Sequence, residues 1–147
     1  MSVRSTRIKL KLASAVAIAL LLCVSAATQA QQKPEQLAQK SAEAWLVLVD
    51  SGKYAQSWDE AAQIFKSAVT QDQWQSALGT VRTPKGKVLS RTLKSATYTK
   101  TLPNAPDGEY VVIKYDTNFE HKQAAVETVV PMRDKDGEWR VSGYFIK

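Results

Sequence analysis

Five side chains carry most of the chemical interest in this chain: Asp116, Glu127, Arg82, Arg91 and Tyr144. If the turn near His121-Lys122 pairs Phe119 with Ala124, Asp116 falls directly opposite Glu127 on the next strand. Two carboxylates so placed repel, recruit a cation or share a proton. The ordinary outcome is preferred, in which Lys114 or Arg91 neutralises them or a bulge shifts the register. Arg82 and Arg91 flank the connector from helices to strands, where guanidinium groups either grip an anionic ligand with paired hydrogen bonds or tie Asp50 or Glu127 inside the fold. The internal use is preferred. An Asp50–Tyr54–Arg82 cluster is a second place where chemistry could reside. Arg82, Arg91, Asp116, Glu127 and Tyr144 are therefore the candidate ligand or interaction residues, and no catalytic, cofactor-binding or metal set is nominated.

Several chemistries lack their usual residues. The only histidine, His121, falls in a turn between Glu120 and Lys122, and a general base needs a partner and a pocket that a turn tip does not supply. With one histidine, and with the only cysteine, Cys23, inside the N-terminal apolar run, a common zinc ligand set is not expected. Neither a Gly-x-Ser-x-Gly elbow nor a Gly-x-x-x-x-Gly-Lys phosphate loop occurs, so those routes to acyl or phosphoryl transfer are unsupported. No cofactor is expected.

The N-terminal segment reads as a secretory leader. Arg4, Arg7, Lys9 and Lys11 precede an apolar run from Leu12 to about Val24, and Ala27 and Ala30 offer small residues at the cleavage position. This is a Sec-type signal peptide over residues 1–30, cut after Ala27 or Ala30. Leu20-Leu21-Leu22 before Cys23 does not suit a lipoprotein signal, and Arg4 and Arg7 are not adjacent as a twin-arginine signal requires. Cleavage removes four of the 20 basic residues and none of the 14 acidic ones, leaving residues 31–147 at +2. So small a charge, without a basic stripe, argues against nucleic acid as a partner. The remaining chain contains no cysteine, so packing alone must hold a single domain over residues 31–147.

Positioning falls to two kinds of element. From Pro34 to Gly52 the spacing of Leu37, Ala38, Ala42, Trp45, Leu48 and Val49 predicts an amphipathic helix. Tyr54, Trp58, Ala61/Ala62, Phe65 and Val69 predict a second, with a capping box at Ser57–Glu60 if that helix restarts there. Thr70 and Gln73 open a third that turns Trp74, Ala77 and Leu78 inward. Trp45, Trp58 and Trp74 are core residues whose indole N–H groups need partners. After Arg82–Gly86 the chain reads as strands near 87–101, 109–120, 124–132 and 138–146, joined by turns. The clearest is Asp107–Phe119, where Val111, Ile113, Tyr115 and Phe119 alternate with polar neighbours and Thr117 fills a gap in the apolar side. On the last two strands, Val126, Thr128, Val130 and Met132 are expected to share a core face with Trp139, Val141, Gly143 and Phe145. Glu127, Val129, Arg140, Ser142, Tyr144 and Ile146 are then left on the open face. Pro131, lacking a backbone donor, is expected at an edge or bulge. The fold class is α+β: three N-terminal helices packed on one face of a curved four-stranded antiparallel meander, after a cleaved signal peptide.

Trp45-Leu46, Asp50-Ser51-Gly52-Lys53-Tyr54, Ser57-Trp58, Arg82, Gly86, Ser90-Arg91, Pro106-Asp107-Gly108-Glu109-Tyr110, Glu127-Thr128 and Trp139-Arg140-Val141 with Gly143-Tyr144 together resemble small exported bacterial proteins grouped as domain-of-unknown-function family 4019. The resemblance spans nearly the whole processed chain. It implies a periplasmic or secreted protein, and the order of helices then sheet is similar to cystatin-like or nuclear-transport-factor-2-like cones, but it brings no activity to carry over. A non-enzymatic binding or interaction domain for a small ligand or an envelope protein is the preferred function. The alternatives are a periplasmic enzyme of unfamiliar type and a scaffold that forms homodimers through Val129, Tyr144 and Ile146 on the open sheet face. After cleavage no membrane span is expected.

Overall fold

The computed structural model describes residues 32–147; the expected signal peptide, its cleavage positions and Cys23 lie outside them. Helix α1 runs Pro34–Asp50 with proline in its first turn, where the missing N–H costs nothing. Ala38, Ala42, Trp45, Leu46 and Val49 form its buried stripe. The second apolar stripe is divided between α2, Tyr54–Asp59, and α3, Gln63–Ala68, so the described residues hold four α-helices where three were expected. The break has a backbone cause: the Ala62 N–H donates to the Val141 carbonyl at 2.8 Å, leaving the helical path for a strand. The Ser57 capping box does not form. Ser57 is buried, its hydroxyl donates to the Tyr54 carbonyl at 2.7 Å, and it accepts the Trp74 indole at 2.9 Å. Helix α4, Gln71–Val81, does open on the Thr70–Gln73 capping box, and a 3-10 turn over Thr83–Lys85 leads to the sheet.

Strands β1 (Val88–Thr99), β2 (Tyr110–Phe119), β3 (Lys122–Arg133) and β4 (Trp139–Ile146) form an antiparallel meander in the order β1-β2-β3-β4. Val111, Ile113, Tyr115, Val129 and Val141 join the α1 stripe, Trp74 and Leu78 in one core, with Trp58 and Trp139 packed partly buried against it. The helical tryptophans are satisfied as burial demands: beside the Trp74–Ser57 bond, Trp45 donates to the Ser57 carbonyl and Trp58 to the Val69 carbonyl, each at 2.7 Å.

Two irregularities reset the faces of the sheet. Between Thr117↔Ala125 and Phe119↔Lys122, β3 carries an extra residue near Ala124, whose φ is 51° and whose N–H is taken by the Asn118 side chain at 2.8 Å. Asp116 therefore pairs with Val126, and Tyr115 with Glu127. Between Val130↔Gly143 and Pro131↔Val141, β4 carries Ser142 as an extra residue, so Pro131 does lie at a bulge. The side-chain parity of β4 flips there. Val141 and Tyr144 both face the core, where Tyr144 meets Trp45 edge-on at 5.4 Å, while Phe145 is 59% exposed. The expected faces of β3 and β4 are thus corrected: Glu127 and Val129 are fully buried, with Tyr144 beside them. Of the three residues expected to form a homodimer patch, Val129 is buried and Tyr144 faces the core, while Ile146 is half-buried.

Both sheet edges are managed. Ser41 donates to the Trp139 carbonyl at 2.7 Å and Ala62 to that of Val141, covering β4. β1 is broken by irregularities at Val88/Ser90 and Leu93/Ser95, which spoil it as a template for another strand. The facing of β2 gives a direct test. Ile113→Ala should cost about 3 kcal/mol in denaturant unfolding and Lys114→Ala less than about 0.5, because only the first empties a buried site. Equal losses would contradict the assignment.

Candidate functional site

One polar cluster joins every strand to the helical layer. Glu127 sits on β3 with no exposed surface, and its carboxylate takes Arg91 Nε at 2.7 Å, the same guanidinium's second nitrogen at 3.1 Å, the Thr117 hydroxyl at 2.6 Å and the Tyr144 hydroxyl. A carboxylate has about four acceptor positions, so this one is filled. Arg91, on β1, reaches on to Asp50 at the end of α1 with two further bonds of 2.7 and 3.0 Å. Arg82, just past α4, donates to Asp50 at 3.1 Å and to the Gly86 carbonyl at 2.6 Å, with its guanidinium 4.6 Å from the Phe119 ring centre. Two cations face two anions, and the cluster is neutral.

Local structure explains each position. Asp50 ends its helix because Gly52, at φ 70°, turns the chain out of it. Thr117 and Glu127 share the core phase of β2 and β3 because the Ala124 bulge sets that register. Tyr144 reaches Glu127 because the Ser142 bulge turned it inward. Gly86 has a φ of 74° and a neighbour, Glu120 Oε2, within 2.6 Å of where a Cβ would sit. No other residue passes there without strain, and the close approach lets Glu120 accept the Lys87 N–H at 2.7 Å.

Protonation follows the same geometry. Burial alone lowers the Arg91 pKa, but the hydrogen bonds to Asp50 and Glu127 outweigh it and hold the guanidinium charged well above its usual range. Burial raises the Tyr144 hydroxyl, and the Glu127 charge raises it further. Burial, with a smaller push from Glu43, takes Tyr115 up to about 12. The Tyr115 hydroxyl and Arg82 Nε are buried without a partner among the described residues.

The nominated residues sort clearly. Arg82, Arg91, Glu127 and Tyr144 come together, and the internal use of the arginines is the observed one. Asp116 does not join them: it lies on the outer face, paired with Lys94 at 3.0 Å, with both side chains more than half exposed. The Asp116/Glu127 carboxylate pair does not form: as the preferred outcome had it, a bulge shifts the register so that the two lie on opposite faces, and Arg91 holds Glu127. Tyr54 also stays out, bonding Thr83 at 2.8 Å, so of the Asp50–Tyr54–Arg82 cluster only Asp50–Arg82 forms. Thr117 was visible in the sequence only as a hydroxyl in an otherwise apolar strand phase. Among the described residues no group of three or more histidine, cysteine or acidic side chains is placed to hold a metal ion.

Access lies elsewhere. A recess of about 400 Å³ opens on the outer face of the sheet between α3, the loop Leu102–Ala105 and strands β2 to β4. A second, of about 410 Å³, lies between α1, α2 and the start of β4, where Trp139 and Arg140 line it. Arg140 is already held by Asp136 at 2.7 and 2.8 Å, bonds that lower the Asp136 pKa to about 2.

Truncating one member of the cluster should be severe. Glu127→Ala strands a buried guanidinium and is expected to cost about 3–5 kcal/mol in denaturant unfolding. A loss below about 1 kcal/mol would mean the site is wetter than its geometry implies. The phenols set an alkaline limit. Because the fold raises the pKa of Tyr144 and Tyr115 above the ordinary 10.0, their contribution is complete below pH 10 and is lost as pH rises beyond it, through about 12 for Tyr115. Tyr144→Phe should flatten the fall of stability between pH 10 and 12 in a pH series of thermal melts; an unchanged slope would contradict the assignment.

Among the described residues no helix is long and apolar enough to cross a membrane. Neither the curated proteins nor the solved structures yield a match. A family model described as "Protein of unknown function (DUF4019)" matches residues 41–144, from α1 through Tyr144 of β4. With most of its length so matched, and with Asp50, Arg82, Arg91, Glu127 and Tyr144 inside the matched span, the chain belongs to the DUF4019 family.

Proposed function

We propose that this chain is an exported, non-enzymatic binding domain that works through its outer surface, while its buried polar cluster serves the fold. The observation that carries this reading is the saturation of Glu127. A carboxylate already accepting from Arg91, Thr117 and Tyr144 has no position left for a substrate proton or a metal ion. Arg91 is equally engaged, with both acidic partners occupying its planar fork. The ligand is a small molecule or a segment of an envelope protein, and the outer-face recess between α3 and the strands is where it docks. A concave site with fixed walls and few polar groups is the ordinary form of a ligand pocket.

Export follows from the leader: four basic residues, an apolar run and small residues at Ala27 and Ala30. The processed chain then resides in the periplasm or is secreted, with a fold in keeping with a cystatin-like or nuclear-transport-factor-2-like architecture.

Two measurements test this reading. N-terminal sequencing of protein recovered from outside the cytoplasm should begin at Thr28 or Gln31; a chain starting at Met1 would remove the export claim. Titration of isotope-labelled protein with a panel of small metabolites and apolar probes should move the amide signals of Val112, Val130, Gly143, Leu102, Asn104 and Ala105. Shifts centred on Asp50, Arg82 and Arg91 would instead assign function to the buried cluster.

A further inference from the structure

We propose that the outer-face recess binds a neutral aliphatic group of medium length whose single polar end is met by Asn104. This names the ligand class for the binding reading above and rests on it. Charge gives the first argument. Although 23% of the chain is charged, no charged residue among the described ones lines this recess, and an ionic ligand would lose its hydration with nothing there to pair against. Complementarity therefore selects a neutral ligand.

The polar atoms narrow it further. The Ser142 hydroxyl is spent on the Val130 carbonyl at 2.8 Å and the Tyr110 hydroxyl on the Pro106 carbonyl at 2.7 Å. The walls thus offer hydrocarbon, and Asn104, exposed on the loop, supplies the one uncommitted amide. Stacking of a flat ring is served only at the rim, by the exposed Phe145. Phe65 is already edge-on against Trp74 at 4.9 Å, and Tyr110 is 1% exposed. Ile64, Leu102, Val112 and Val130 give a branched aliphatic surface instead. Its volume of about 400 Å³ lies within the roughly 300–1,000 Å³ common for small-ligand sites.

The recess is also built in advance. The loop is held by Gly108 N–H to the Lys100 carbonyl at 3.0 Å and Ala105 N–H to the Leu102 carbonyl at 3.2 Å. Asn104 takes the left-handed conformation that asparagine tolerates, at φ 61°. On the floor, Gly143 lies where a Cβ would press the Phe145 ring at 3.3 Å, so the missing side chain leaves that ring in place at the rim. Strand addition does not compete, because bulges and capping groups guard both sheet edges.

The test uses N-phenyl-1-naphthylamine, an uncharged fluorescent probe, titrated into the purified protein and then displaced. Saturable binding of one probe per chain, reversed by 1-decanol but at least tenfold less well by decyltrimethylammonium or decyl sulfate, is the expected result. Ala68→Trp, at an exposed position on the recess wall, should weaken the probe at least tenfold with its circular dichroism unchanged. Leu89→Lys, which removes an exposed apolar side chain elsewhere, should bind as the parent does. Displacement by phosphatidylcholine vesicles as well as by decanol would support the same chemistry and place its source in a bilayer. Ala68→Trp binding like the parent, or charged amphiphiles outcompeting decanol, would overturn the proposal. If decanol fails while another ligand moves the recess amides, the binding reading stands and only the aliphatic class falls.

Discussion

The architecture depends on a carboxylate that cannot be left alone. Burying Glu127 without compensation would cost several kcal/mol, and the fold meets that cost by bringing Arg91, Thr117 and Tyr144 to it from the other strands. The arginine so recruited retains a free edge, and Asp50 takes it. Asp50 in turn holds Arg82, which lies over Phe119. A single electrostatic obligation therefore runs from the sheet to the end of α1 and the exit of α4. Apolar packing between α1 and the sheet tolerates small slips, whereas paired hydrogen bonds to planar groups do not. The cluster thus specifies which helix end lies over which strand.

This use of the charged residues divides the molecule by role. The inner face of the sheet is given over to core and cluster, with charges neutralised and the indole N–H groups of Trp45, Trp58 and Trp74 bonded. The outer face carries ordinary exposed pairs, such as Lys94–Asp116, together with an uncharged recess. The β4 bulge connects the two faces. By adding Ser142 it turns Tyr144 inward to complete the Glu127 shell and turns Phe145 outward to the rim of the recess. One extra residue serves the clamp and the candidate binding surface together.

Much of this was legible beforehand, and the gaps have physical causes. Period-two alternation from Val111 to Phe119 named the core side of β2, and α1 and the Thr70–Gln73 cap were readable from spacing and capping chemistry. Membership of the DUF4019 family was carried by recognisable residues. The faces of β3 and β4 were misread because alternation identifies a face only while register is unbroken, and bulges at Ala124 and Ser142 leave little trace in sequence. Parity opposite to Val126 and Val130 put Glu127 on the open face, although its tie to an arginine inside the fold was also anticipated. Its burial becomes sensible only when partners 36, 17 and 10 residues away arrive together. The division of the second helix was hidden for the same reason, as the Ala62–Val141 bond is tertiary.

The central claim is that Asp50 and Arg91 are coupled parts of one clamp between helix and sheet. A double-mutant cycle on Asp50→Asn and Arg91→Met, followed by denaturant unfolding, measures that coupling with their separate burial removed. The account predicts a coupling energy of about 1 kcal/mol or more, since the pair is bidentate and the guanidinium is mostly buried although Asp50 keeps an edge to solvent. Additivity within about 0.5 kcal/mol would show that the two residues stabilise the fold independently, and would contradict it.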